Sequence, residues 1–335
     1  MAAVLVTGGA GFIGSHLSQR LLEEGSDVRV LDCIDSFYEP TLKRANLELL
    51  EQVAARTGSS LEVVEGDLRD ADVCRRALDG VGCLVHLAAL AGVRPSLQDP
   101  IRYVDVNVTG TQTLLEQITD PAVRVVFGSS SSVYGGNERV PFSEEHAVDR
   151  PVSPYAATKK AGEVLCYTWH HLHGNPVTCL RFFTVYGPRQ RPEMAIHKFA
   201  RMITNGETLP LFGDGTTRRD YTYVDDIVAG VLAATQRVPS GAADAAGAGD
   251  PYRIYNLGGA ATTSLSELVQ LLEDALGQKA KIERLPDQPG DVRQTYADVS
   301  RAERELGYRS RTSLADGVQK FCRWYLEEKQ AGRIA

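Results

Sequence analysis

The chain predicts an α/β fold built on a doubly wound, parallel Rossmann-type sheet, with a smaller, discontinuous α/β part. Three observations carry this. Short apolar runs recur along the first half, polar helical stretches separate them, and the first run feeds a glycine-rich turn that opens a helix. Such alternation buries strands on both faces and joins them in parallel.

Taken in order, Ala3-Val4-Leu5-Val6-Thr7 is the first strand. After Gly8 to Gly14, Ile13, Leu17, Leu21 and Leu22 recur at helical spacing until Gly25 stops the helix. Val28-Arg29-Val30-Leu31-Asp32 is the second strand, and Leu61–Val64, Cys83–Leu87, Arg124–Phe127 and Val177–Arg181 are further buried-strand candidates. Past about Thr184 the alternation ends, and helical stretches (Ala195–Ile203, Ser266–Leu276) sit among Pro- and Gly-rich loops. The small residues of Ser240–Gly249 bury little, so a mobile surface loop is expected there. Arg253-Ile254-Tyr255-Asn256-Leu257 behind it reads as another strand, which makes the second domain discontinuous. The expected division is 1–185 with about 220–258 as the nucleotide-binding domain, and about 186–219 with 259–335 as the other.

The 335 residues are 24% charged and 43% hydrophobic, ordinary for a soluble globular chain. No run reaches the ~18 apolar residues of a membrane span. Met1 leads straight into a strand pattern without a charged and apolar leader, so the expected location is the cytoplasm. A net charge of −7 argues against nucleic acid as a partner, while leaving room for an anionic small molecule where arginines converge. The six cysteines are dispersed without a C-x-x-C, which argues against a zinc site or a disulfide framework. In Trp169-His170-His171-Leu172-His173 two histidines share a helix face, yet no carboxylate stands ready to complete a metal site; no metal is expected.

Two motifs carry chemistry. Thr7-Gly8-Gly9-Ala10-Gly11-Phe12-Ile13-Gly14 contains Gly9-x-Gly11-x-x-Gly14 and equally Gly8-x-x-Gly11-x-x-Gly14, between a strand and a helix. Missing side chains let the backbone approach a pyrophosphate, which the helix N-terminus stabilises. Asp32, 18 residues after Gly14, is placed to accept hydrogen bonds from both ribose hydroxyls. It would repel a 2′-phosphate, and positions 33 and 34 hold no arginine, so NAD is expected rather than NADP. Asp67 suits an adenine edge or a plain turn. The second motif is Tyr155-Ala156-Ala157-Thr158-Lys159, one helical turn from phenol to ammonium. A neighbouring ammonium favours phenolate, which would lower the tyrosine pKa and suit it to general base work. Gly128-Ser129-Ser130-Ser131-Ser132-Val133-Tyr134-Gly135 sits at the carboxyl end of a strand, where open α/β sheets bind ligands.

These motifs, with His86-Leu87-Ala88-Ala89 and Asn107, resemble the extended short-chain dehydrogenase/reductase superfamily, and within it the nucleotide-sugar epimerases and dehydratases, over nearly the whole chain. The resemblance implies a catalytic trio of Ser130, Tyr155 and Lys159. It also implies cofactor contacts from Gly8, Gly11, Phe12, Ile13, Gly14, Asp32, Asp67, Leu68 and Leu87–Ala89, with Asn107 beneath the active-site helix. Relatives that dehydrate sugars carry Asp-Glu after the catalytic Ser/Thr, and those that decarboxylate UDP-glucuronate carry Ser-Glu. Here Ser131-Ser132 stands in that place, which leaves oxidation and re-reduction at one carbon, an epimerisation. Arg181 to Ala195, including Thr184 and Arg191, is similar to the UDP-glucuronate 4-epimerase group, as are Phe37–Arg44 and Ala91-Gly92-Val93-Arg94. UDP-glucose 4-epimerases commonly have Asn where Thr184 stands. Implied substrate contacts are Arg94, Ser130, Ser131, Ser132, Thr184, Arg191, Arg219 and Arg293, the arginines serving the diphosphate. A UDP-hexose 4-epimerase, another NAD-dependent enzyme of the superfamily and a non-catalytic NAD-binding protein stay open at this point. Helices near Asp105–Glu116 and Tyr155–His171 resemble those of the family's dimer interface, so a homodimer is expected.

Overall fold

The computed structural model describes residues 2–237, 251–286 and 292–334. Its centre is a seven-stranded sheet in which every neighbouring pair is parallel. Strand β1 (Ala3–Thr7) pairs with β2 (Val28–Asp32) on one side and with β4 (Val81–His86) on the other. Beyond β2 lies β3 (Leu61–Glu65). Beyond β4 come β5 (Arg124–Ser130), β6 (Val177–Phe182) and the strand Tyr252–Leu257. The sheet grows one way from β1 to β3 and the other way from β4, which opens a crevice at the carboxyl ends of β1 and β4.

The pleat sends successive side chains to opposite faces and so builds two cores. Val6, Val30, Val85, Val126 and Leu180 join one cluster, whereas Leu5, Leu31, Leu84, Val125 and Cys179 join the other. β3 departs from the expected burial: Val63 is 37% exposed, because β3 is the sheet edge with a single strand neighbour. β5 runs longer than its apolar stretch. Pairing with β6 continues through Gly128, Ser129 and Ser130 after the apolar residues stop at Phe127. Polar residues there point to a strand end that works as a wall rather than as core.

The helix Pro154–His173 starts where Ser153 Oγ accepts the Ala156 N–H at 3.1 Å, with Pro154 in the first turn, and ends at Gly174 with φ 77°. Ser240–Gly249, expected as a surface loop, lies outside the described residues, as do Gly290 and Asp291. Within the described residues His170 Nδ1 pairs with the Asn175 carbonyl at 2.7 Å, the His173 ring packs on Trp169, and no group of three His, Cys, Asp or Glu side chains converges.

Candidate active site

A cavity of about 750 Å³ runs over the carboxyl ends of the strands and brings together the glycine turn, Asp32, the serine run and the Tyr155 helix. Its floor is the turn from β1 into helix α1 (Phe12–Glu23). Gly8 has φ +70°, and a Cβ there would stand 2.9 Å from the Ala88 backbone. A Cβ on Gly14 would lie 2.1 Å from the Gly8 carbonyl oxygen. These positions therefore hold glycine for steric reasons, and the resulting open turn admits a close-fitting phosphate beside the first N–H groups of α1. Gly8, Gly11, Phe12, Ile13 and Gly14 all line the cavity, opposite Leu87, Ala88 and Ala89.

At one end Asp32 is 8% exposed, and its two oxygens accept the N–H groups of Ala10 (3.1 Å) and Ile34 (2.9 Å). Those bonds aim the carboxylate into the cavity. Burial raises its pKa from the ordinary value despite the opposing charge of Lys43. Asp67 also lines this end beside Leu68. Its carboxylate is forked by Arg69, at 3.0 and 2.6 Å, which holds it below the usual range. The acids along the cavity wall, among the described residues, are Asp32, Asp35 and Asp67, all at or just beyond the ends of β2 and β3. This geometry fits a dinucleotide with free ribose hydroxyls.

Asn107 is different. It does not line the cavity: Oδ1 accepts the Leu90 N–H at 2.8 Å, while Nδ2 donates to Leu90 O at 2.9 Å and to Thr158 Oγ1 at 3.0 Å. Both its amide N–H donors and one acceptor site of its oxygen tie the Leu87–Leu90 wall to the Tyr155 helix, so the cofactor contact expected of it becomes a bracing one. It sits in a π-helical turn, Asp105–Thr109, a local widening common near functional sites.

At the other end stand Ser130, Tyr155 and Lys159. The Ser130 hydroxyl accepts the Ser132 N–H at 3.1 Å and hydrogen-bonds Tyr155. The lowered tyrosine pKa expected from Lys159 is not found. Burial raises it, opposed by the Ser130 hydrogen bond and the charge of Arg191. Lys159 instead donates to the Gly128 carbonyl at 2.7 Å, and its own burial depresses it to about 8. Tyr103, absent from the sequence reading, packs its ring edge-on against Tyr155.

Ser131, Ser132 and Thr184 line the wall beside this pair. The Ser132 hydroxyl is buried without a hydrogen-bond partner, a donor available to a ligand. Arg191 lines the cavity with its guanidinium 3.1 Å from Glu193 and 5.7 Å above the Phe37 ring. Arg219 lines it from the opposite strand, donating Nη1 to the Arg218 carbonyl at 2.9 Å. Arg94 reaches over the Phe212 ring at 5.4 Å. Arg293 falls short of the expected cluster. Its carbonyl accepts the Arg218 N–H at 2.9 Å, but its side chain is exposed, and Val292 and Thr295 line the cavity in its stead. Phe37, Tyr38 and Lys43, from the Phe37–Arg44 stretch that resembles the UDP-glucuronate 4-epimerase group, also line the cavity.

A family model described as GDP-mannose 4,6-dehydratase matches residues 5–321. The chain belongs to that family. It is an extended short-chain dehydrogenase/reductase, grouped with NAD-dependent nucleotide-sugar epimerases and dehydratases. UDP-glucuronate 4-epimerase 3 of Arabidopsis thaliana is 44% identical over 344 residues, covering 99% of this chain and 78% of that protein. The UDP-glucuronic acid 4-epimerase of Bacillus cereus, solved with UDP-glucuronic acid and NAD, superposes with a TM-score of 0.87. It is 36% identical, covering 97% of this chain and 99% of that one. The UDP-glucose 4-epimerase of Thermotoga maritima, solved with UDP-glucose, gives 0.84 at 30% identity, covering 98% and 99%.

Proposed function

We propose that this family member interconverts UDP-glucuronate and UDP-galacturonate by oxidation at C4, rotation of the 4-keto sugar and re-reduction. The observation that carries the reading is the wall beside Tyr155. It is built of Ser131, Ser132 and Thr184, and among the described residues the acids that line the cavity all lie at the far, Asp32 end. With no carboxylate among the described residues of that wall, elimination lacks a second proton donor there, and hydroxyl donors suit the sugar carboxylate. Similarity to UDP-glucuronate 4-epimerases of plants and of Bacillus cereus supports the same substrate.

In this reading Tyr155 takes the C4 hydroxyl proton, and Ser130 orients that oxygen while favouring the phenolate. Lys159 stays beneath the strand end through Gly128. NAD, when bound over the glycine turn and Asp32, supplies a hydride acceptor that gives the hydride back within one turnover. Arg191 and Arg219 hold the diphosphate as a fixed pivot, and the carboxylate is kept on Ser131, Ser132 and Thr184. Residues 1–185 with about 220–258 serve the dinucleotide, and the remainder serves the sugar nucleotide. The enzyme is placed in the cytoplasm. It works as a homodimer, which would cover the apolar residues Leu97, Ile101 and Val104 and, on the Pro154–His173 helix packed beside them, Val164, Tyr167 and Leu172.

The test is turnover of UDP-glucuronate by purified protein without added NAD, watching the reduced-nicotinamide absorbance. Conversion without net build-up supports an epimerase; stoichiometric build-up as product forms makes the protein a dehydrogenase.

A further inference from the structure

The helix that carries Tyr155 and Lys159 carries a third polar residue on the same face, four positions further on: Glu163. These three side chains meet three consecutive residues of β5. Tyr155 hydrogen-bonds Ser130, Lys159 donates to the Gly128 carbonyl, and Glu163 Oε1 accepts the Ser129 hydroxyl at 2.7 Å. Helix and strand approach closely at this point, since a Cβ on Gly162 would stand 2.3 Å from the Phe127 ring.

Glu163 is itself clamped. Arg181 of β6 donates Nε to Oε1 at 2.8 Å and Nη2 to Oε2 at 2.9 Å, and both side chains are about 1% exposed. The remaining Arg181 nitrogen donates to the Tyr134 hydroxyl at 3.0 Å, and Tyr134 donates to Asn256 at 2.7 Å. Tyr134 closes the short turn Ser131–Tyr134 that begins at Ser130. A buried ion pair is a poor source of net stability, because desolvation offsets the attraction and apolar residues of like volume would pack as well. Its specific yield is geometry: a forked, charge-assisted contact with one orientation.

We propose that Glu163, clamped by Arg181, is a positioning residue that fixes the register of the Tyr155 helix against β5 and thereby sets the Ser130–Tyr155 hydrogen bond. The inference rests on the reading of Ser130 and Tyr155 as the proton-transfer pair. Losing the Glu163–Ser129 bond lets the helix face drift from the strand end, and the phenol loses the hydroxyl that opposes the upward push of burial.

Ser129→Ala is the primary variant, because it cuts the Glu163–β5 bond while leaving Glu163 paired with Arg181. Its kcat on UDP-glucuronate is expected to fall about fivefold or more with KM within about twofold, since small misplacement of a reacting group costs rate more than binding. The acidic limb of its pH profile moves to higher pH. Independently of any substrate, NMR titration of ¹³Cζ-labelled tyrosine, with Tyr155 assigned through Tyr155→Phe, is expected to show the Tyr155 midpoint moving up. Glu163→Gln moves the same quantities further. A folded Ser129→Ala protein with wild-type kcat, pH profile and Tyr155 midpoint overturns the proposal. If wild type leaves UDP-glucuronate unchanged but the titration still moves, the substrate reading fails and the positioning role stands.

Discussion

Lys159 donates to the carbonyl oxygen of Gly128 at 2.7 Å, across the end of the strand that carries Ser130. The ammonium is thus spent on the strand end, while the phenol of Tyr155 is tuned by Ser130 and Arg191. Lys159 is 5% exposed, and burial, aided by the neighbouring Lys159 charge, lowers His86 to about 3.

That burial makes a pH-dependent prediction. Lys159 is lowered to about 8 in the folded protein against 10.5 ordinarily. Between those values the unfolded chain holds a proton that the folded one has released, so stability rises with pH in that window. Wild type should therefore gain stability relative to Lys159→Met as pH climbs from about 8 toward 10.5, measured by paired denaturant melts. A pH-independent difference would show that Lys159 is not depressed.

Tyr155→Phe keeps the ring contact with Tyr103 and removes the base. Its turnover should drop by the ~10²–10⁴ expected for loss of general acid–base catalysis. Ser130→Ala should lower the rate as well. Near-normal kcat in Tyr155→Phe removes the tyrosine from the mechanism.

Gly8→Ala puts a Cβ 2.9 Å from the Ala88 backbone at φ +70° and distorts both walls of the dinucleotide cleft. The variant should emerge from purification with little bound nucleotide, measured by absorbance of the acid extract. Wild-type occupancy would mean that the cleft tolerates the side chain.

Much of this was legible in the sequence, for reasons that also explain the gaps. The strand–glycine turn–helix unit, Asp32 and the Ser130/Tyr155/Lys159 set sit in short local patterns with a steric or electrostatic meaning of their own. Whether β3 is central or an edge depends on strand order, which its apolar residues do not encode. Helical spacing gives the neighbour of a side chain but not its preferred partner, here the Gly128 carbonyl for Lys159, so it implies the wrong direction for the Tyr155 shift. The resemblance puts Asn107 near the right wall, but both its N–H donors go to Leu90 and Thr158 and its oxygen accepts from Leu90. No local pattern marks Glu163, because its partners Ser129 and Arg181 lie on two other elements.

The Thr184 hydroxyl is expected to help keep the sugar carboxylate out of line with the C4 ketone, from which carbon dioxide is readily lost. A hydrogen bond to a charged group is worth about 1.5–3 kcal/mol. Thr184→Val should accordingly raise the proportion of 4-keto-pentose or UDP-pentose by-product, quantified by mass spectrometry of the reaction mixture. An unchanged product ratio would remove Thr184 from the carboxylate restraint.

The central claim is epimerisation of an intact uronate, and product identity tests it most directly. Purified protein is incubated with UDP-glucuronate as the sole added substrate, and the sugar nucleotides are separated chromatographically and identified against standards. UDP-galacturonate with little pentose is the predicted result. Release mainly of pentose, or a preference for UDP-glucose over UDP-glucuronate, would contradict the reading of Ser131, Ser132 and Thr184.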